Sequence, residues 1–271
     1  MAASAGEEDA PNMKKLYTPK SEPMRLACFM SGVGTNVIKI IERQHALGDK
    51  SPFKVVAVFS DVKDPEKSNA EKIAREYGIE YFCRDIADYY RERKAERKDM
   101  KVRRSYDAET REFLEKQNVD AVALCGYNSL ITEEIFGSYP TLNVHPADLR
   151  KKDSAGKRMY AGYNGAATIR AAIANLEEAV ASTVHLVTEK VDGGPIILIS
   201  RPLEIDISKE ERINPAMVKA ISENYLDDLK KAGDWVIFPK AIEMLAEGRL
   251  AIEDDTIYID GERYDDGCQL G

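Results

Sequence analysis

Between Met24 and Cys125, short apolar runs alternate with stretches of helical periodicity, and no other feature restricts the fold as much. The run Met24–Met30 reads as a buried strand, and Val37, Ile38, Ile40 and Ile41 then recur at helical spacing up to Gly48. A second strand over Lys54–Phe59 leads to a helix around Ala70–Tyr77, which Gly78 stops before the short strand Glu80–Cys83. Thr110–Gln117 reads as helix, and Val119–Cys125 as one more apolar strand that turns at Gly126. Strands that are apolar throughout and alternate with helices predict an α/β fold: a mostly parallel sheet covered on both faces. Further on, Thr183–Val187 and Pro195–Pro202 predict an antiparallel hairpin. Helices over about Asn214–Lys231 and Trp235–Glu247 follow, then a short hairpin turning at Asp260-Gly261.

This pattern divides the chain into a flexible N-terminal tail (1–23), a domain over 24–250 and a C-terminal hairpin extension (251–271). The tail holds too few large apolar side chains to offset the entropy of ordering it. With 39 Lys+Arg against 47 Asp+Glu, the net charge of -8 argues against a dedicated nucleic-acid binder. Residues 91–104 run against that total, with eight basic and three acidic side chains; a solvated surface or a phosphate-facing patch would account for them. Cys28, Cys83, Cys125 and Cys268 lie far apart, so neither a zinc site nor a disulfide framework is expected, and reduced thiols suit a cytoplasmic setting. No apolar run reaches membrane-spanning length, and the first 23 residues lack the apolar core of a signal peptide.

Imidazole chemistry has only His45, His145 and His185 to draw on. His45 sits in a charged helix end, and His185 fits a structural residue on a strand face. In Leu142-Asn143-Val144-His145-Pro146, alternation sends Asn143 and His145 to the same side of an extended segment. An amide donor beside an imidazole suits a developing oxyanion and a proton transfer, although two unrelated polar residues closing a strand would look the same. Asp192, in Val191-Asp192-Gly193-Gly194-Pro195, fits a hairpin turn equally well. The loop Ser31-Gly32-Val33-Gly34-Thr35-Asn36, between strand and helix, fits either a phosphate cradle or a plain turn capped by Thr35 or Asn36.

The order of these motifs resembles the formyltransferase family: S-G-V-G-T-N, then C-G-Y, then N-V-H-P, then T-V-H-L-V-T-E-K-V-D-G-G-P, with W-V-I-F-P-K-A-I near the end. The similarity runs from about Met24 to Leu250, and the glycine loop favours the ribonucleotide branch over the tRNA and sugar branches. It implies a Rossmann-like formyltransferase fold and transfer of a formyl group from 10-formyltetrahydrofolate, without a metal, to the amine of glycinamide ribonucleotide in purine biosynthesis. The implied catalytic residues are Asn143, His145 and Asp192. Gly34, Thr35 and Asn36 would hold the substrate phosphate, and Gly126 and Val144 would line the substrate cleft, with Asp234 at the ribose. Leu124, Leu130 and Ile131, with the 188–192 loop, would receive the folate. Small-molecule substrates are implied, with no nucleic-acid or membrane partner, for a monomer or homodimer.

Three positions depart from the family pattern. A longer basic loop, Arg150–Met159, follows the N-x-H-P motif; Ser129 stands where an arginine is common; and Thr35 replaces a serine. Alternatives within the same chemistry are a sugar-nucleotide formyltransferase and a formyltetrahydrofolate hydrolase. A degenerate folate- or nucleotide-binding module is the non-enzymatic one.

Overall fold

A computed structural model describes residues 13–270. Strand β1 (Lys14–Lys15) precedes β2 (Met24–Met30), α1 (Thr35–Leu47), β3 (Phe53–Ser60), α2 (Ala70–Tyr77) and β4 (Glu80–Cys83). Helices α3 (Ile86–Glu92) and α4 (Met100–Lys116) lead to β5 (Ala121–Leu124), α5 (Glu133–Phe136) and β6 (Thr141–His145). Next come α6 (Ala166–Ala174), β7 (Ala179–Val180), β8 (Thr183–Leu186), β9 (Ile196–Ile199) and β10 (Leu203–Glu204). The chain then forms α7 (Lys209–Ile213), α8 (Pro215–Leu229) and α9 (Trp235–Ala246). It closes with β11 (Leu250–Glu253), β12 (Thr256–Ile259), β13 (Glu262–Tyr264) and β14 (Cys268–Gln269).

The main sheet has eight strands in the order β14-β9-β8-β6-β5-β2-β3-β4. From β6 to β4 every pairing is parallel, as the apolar runs predict. Strand β8 alone runs against the rest, pairing antiparallel with β6 and β9. One apolar cluster packs α1 and α9 on one face, through Val37, Ile40, Ile41, Phe238 and Ile242. Another packs α3 and α4 on the opposite face, around Phe29, Phe59, Tyr106 and Leu114. Both faces are therefore buried, and the carboxyl ends of β2, β5 and β6 share one open edge, where such sheets place ligands.

The expected N-terminal boundary needs correction. Residues 13–23 do not hang free of the domain: β1 pairs antiparallel with β11, and Tyr17 is buried in the main cluster. One aromatic side chain and a strand-edge pairing offset the cost of ordering that polar stretch; residues 1–12 of the expected tail lie outside the described residues. The hairpin expected within 251–271 is present, with β12 and β13 paired antiparallel across Asp260-Gly261. Strands β11, β12 and β13 extend β1 into a four-stranded sheet whose Ile257 and Ile259 belong to the main core, and β14 then joins the main sheet beside β9.

The basic stretch 91–104 is mostly paired with carboxylates. Arg91 meets Asp88, Arg93 meets Glu109, Lys98 meets Glu96 and Arg104 meets Glu133. Exposed pairs of this kind contribute little to stability. Arg103 differs from them, because it is buried against Asp107 at 2.9 Å.

Candidate active site

The glycine loop leaves the end of β2 and starts α1. Gly34 occupies the left-handed region (φ 75°), and a Cβ there would come within 2.5 Å of the Ile73 side chain and 2.6 Å of that of Met30. That backbone conformation favours glycine. Neither Thr35 nor Asn36 caps the helix: no side chain accepts from the first turn of α1, and that turn carries no acidic residue. Its N–H groups stay available to an anion.

Asp234 departs from a side chain reaching toward a ribose. It is only 4% exposed and accepts hydrogen bonds from Ser182 Oγ at 2.5 Å and Asn36 Nδ2 at 3.4 Å. Burial raises its pKa, against the pull of these two donors. Being one methylene shorter than glutamate, it stays beneath the loop and fixes the Asn36 amide.

Beside the loop, the chain from Gly126 to Thr132 is fastened on two sides. Asp61, buried at the end of β3, accepts from Ser31 Oγ at 2.6 Å and from the Ser129 hydroxyl, while Asn128 N–H donates to Ser31 Oγ at 2.9 Å. The serine at the unusual position 129 thus satisfies a buried carboxylate. From α4, Asp107 accepts the Thr132 N–H at 2.6 Å and its hydroxyl at 2.9 Å, and Arg103 donates to the Tyr127 hydroxyl at 3.3 Å. Burial pushes Asp107 up to about 6, against the opposing pull of Arg103 and Thr132. These anchors leave Leu130 and Ile131 lining an open cleft with Leu124.

That cleft has a volume of about 330 Å³, and Gly126, Asn143, Val144, His145 and Asp192 also line it. Gly34, Thr35, Asn36 and Asp234 are not part of this lining. The glycine loop stays adjacent to it, because Ser31 N–H donates to the Gly126 carbonyl at 3.1 Å.

At the cleft floor, antiparallel pairing sets Asn143 opposite His185. On the other side of β8, the pairing with β9 shifts register between Val184 and His185, with Ile197 of β9 as the extra residue, an irregularity of the kind that occurs beside functional sites. Asp192 completes the group, with Oδ2 3.5 Å from His145 Nδ1 and Oδ1 3.4 Å from His185 Nε2. The Asn143 amide nitrogen lies 3.2 Å from His185 Nε2 and 3.4 Å from Asp192 Oδ1. His145 Nε2 faces the Tyr160 carbonyl at 2.9 Å, so that nitrogen carries a proton and Nδ1 is the basic one. By the same reasoning His185 Nδ1 donates to the Leu186 carbonyl at 3.0 Å, which leaves its Nε2 facing both the Asn143 amide nitrogen and the Asp192 carboxylate.

Burial lowers the His145 pKa, with Asp192 pulling the other way. For Asp192, burial works to raise the pKa. The His185 hydrogen bond, the two imidazoles and the Gly162 N–H outweigh it and hold the carboxyl at about 2. Asp192 is therefore an anion throughout the neutral range, beside an imidazole that gives up its proton more readily than usual.

Sequence reading brought Asn143, His145 and Asp192 forward, and all three meet here. It read His185 as a structural neighbour of the site, and His185 touches both Asn143 and Asp192, contacts that only the cross-strand register brings about. Arg158 lay in the basic loop that the sequence marked as a departure, without a role there, and the Tyr160 carbonyl had no sequence signal.

An amide, an imidazole and a carboxylate converging at the carboxyl edge of an α/β sheet define a group-transfer site that can stabilise an oxyanion and move a proton. The formyl transferase family pattern matches residues 24–226, and the chain belongs to that family of one-carbon transferases. The phosphoribosylglycinamide formyltransferase of Haemophilus influenzae is 28% identical over 240 residues, which cover 88% of this chain and 94% of the relative. The enzyme of that name from Escherichia coli is 27% identical over 245 residues, covering 89% of this chain and 95% of its own. Among solved structures, glycinamide ribonucleotide transformylase 1 from Symbiobacterium toebii superposes with a TM-score of 0.66 at 28% identity, covering 89% of this chain and 95% of that one.

Proposed function

We propose that this enzyme transfers the formyl group of 10-formyltetrahydrofolate to the primary amine of glycinamide ribonucleotide, in purine biosynthesis. The observation that carries the reading is the meeting of Asn143, His145 and Asp192 in one cleft beside an uncapped helix N-terminus. That N-terminus suits the ribonucleotide phosphate, through Gly34, Thr35 and Asn36. Leu124, Leu130 and Ile131 offer the apolar wall that a pterin ring needs, and backbone at Gly126 and Val144 lines the space between. A cytoplasmic setting accords with four unpaired cysteines and small-molecule substrates.

As the amine attacks the formyl carbon, negative charge grows on the formyl oxygen. The Asn143 amide donates to it; one such donor is worth roughly 3–4 kcal/mol in a water-poor site. His145 takes up the amine proton at Nδ1, directly or through a water, because Nε2 is held by Tyr160. Asp192 stabilises the resulting imidazolium, whose Nδ1 lies 3.5 Å from the carboxylate, and the imidazolium then gives that proton to N10 as the bond from the formyl carbon to N10 breaks and tetrahydrofolate leaves. Holding both substrates in one cleft supplies the remaining large contribution, proximity.

The test mixes purified protein with 10-formyltetrahydrofolate, with and without glycinamide ribonucleotide, and follows deformylated folate. Turnover that requires the ribonucleotide is expected. Equal turnover without an acceptor would identify a hydrolase, and saturable folate binding without turnover a binding module.

A further inference from the structure

The basic loop that follows Asp148 forms an ordered hairpin. Asp153 accepts from the backbone N–H groups of Ala155 and Lys157, both at 2.9 Å, and Met159 N–H donates to the Lys151 carbonyl at 3.0 Å. Its cations differ in what they touch. Arg150 pairs with Asp148 and Lys151 with Glu177, whereas Lys152 and Lys157 are exposed. Arg158 is turned inward, and its Nη1 donates to two backbone carbonyls, Asp192 at 2.6 Å and Gly194 at 2.9 Å.

The turn so gripped is strained. Asp192 sits in the left-handed region (φ 48°), where a side chain is disfavoured. Gly194 passes so close to β8 that a Cβ would lie 1.9 Å from the Leu186 carbonyl oxygen. Neither residue is held by regular strand pairing. Just after the hairpin, Gly162 N–H donates to Asp192 Oδ2 at 2.8 Å, and the Tyr160 carbonyl holds His145. One segment, 158–162, therefore touches the backbone and the carboxylate of Asp192 and the ring of His145.

We propose that Arg158 is a positioning residue: by clamping the carbonyls of Asp192 and Gly194 it fixes the strained turn and sets the Asp192 carboxylate between His145 and His185. This assignment builds on the formyl-transfer reading above and adds the part played by the inserted hairpin. Arg158 touches no reacting atom. Its effect falls on the geometry in which His145 becomes charged, so it belongs to kcat rather than to substrate affinity.

Full-length Arg158→Met keeps the apolar stem and removes the donor, Arg158→Lys restores a donor, and Lys157→Met removes a hairpin cation that stays in solvent. With formyl transfer as the assay, Arg158→Met is expected to lower kcat by about 10- to 100-fold, since displacement of about 1 Å can cost that much. KM for either substrate should stay within about threefold, Arg158→Lys should recover most of the rate, and Lys157→Met should match the wild type. Amide hydrogen exchange across 188–194 gives a readout independent of activity, and it should quicken in Arg158→Met alone. Wild-type kcat in Arg158→Met would overturn the proposal, as would equal losses in Lys157→Met or exchange unchanged in Arg158→Met. If Arg158→Met does not fold, Arg158→Lys must still exchange more slowly across 188–194 than Arg158→Gln, or the clamp is wrong. Absence of turnover in the wild type would sink the formyl-transfer reading, while exchange would still decide the clamp.

Discussion

The two halves of the open sheet edge are built in opposite ways. The glycine loop comes from contiguous residues, Ser31 to Asn36, and what it offers a ligand is backbone: an uncapped helix N-terminus behind a glycine whose backbone conformation disfavours a side chain. The reaction half gathers Asn143, His145, His185 and Asp192 from separate segments, and what it offers is side chains. Local sequence suffices to build a backbone site. A side-chain site needs strand pairing to bring its parts together, so its failures should appear in rate and those of the loop in affinity and folding.

The largest break in this contrast should come from His145→Ala. Loss of the proton acceptor is expected to lower kcat by about 10²–10⁴-fold, while an isothermal titration with the ribonucleotide shows little change in binding. Retained activity would remove His145 from the mechanism. Asp192→Asn should lower the rate by less and also move the pH profile. His145 must be neutral to accept a proton, and burial already lowers its pKa while Asp192 holds it up. Without that anion the pKa falls further, so the acid limb of kcat/KM must shift to lower pH; a shift upward would contradict the charge arrangement.

Gly34→Ala tests the other half. Forcing a side chain into the left-handed region against Ile73 and Met30 should destabilise the fold by about 2–4 kcal/mol, read by urea unfolding. Its kinetic signature should be a raised KM for the ribonucleotide, with kcat changed far less. The smallest effect is expected of Ser129→Ala, which leaves Asp61 with Ser31 as its remaining side-chain donor. Losing one hydrogen bond to a buried carboxylate should cost about 1–3 kcal/mol. If Leu130 and Ile131 shift with it, KM for the folate rises and that for the ribonucleotide does not.

The same contrast governs what could be read in advance. The limits of β2, α2 and β4 followed directly from apolar runs and from Gly78, because each element is specified within its own few residues. Asn143 and His145 were visible through alternation, and Asp192 through its motif. His185 was legible as a structural neighbour of the site, but its contact with Asn143 was not, because nothing local shows that β8 lies antiparallel beside β6. Asp234 looked ligand-facing because its burial under Asn36 depends on Ser182, 52 residues away. Residues 13–23 looked mobile because β11, their partner strand, lies more than 200 positions later.

By itself, then, the sequence determined the α/β alternation, the glycine loop, the Asn143, His145 and Asp192 motifs and the family to which they belong. These depend on periodicity, on glycine where the backbone conformation disfavours a side chain, and on motifs a few residues long. Tertiary structure decided the reversed strand that places His185 at Asn143, the turn that aims Asp192, and the inserted hairpin whose Arg158 grips it. Those contacts join residues far apart in the chain, and their geometry is set by strand register and packing rather than by any local preference.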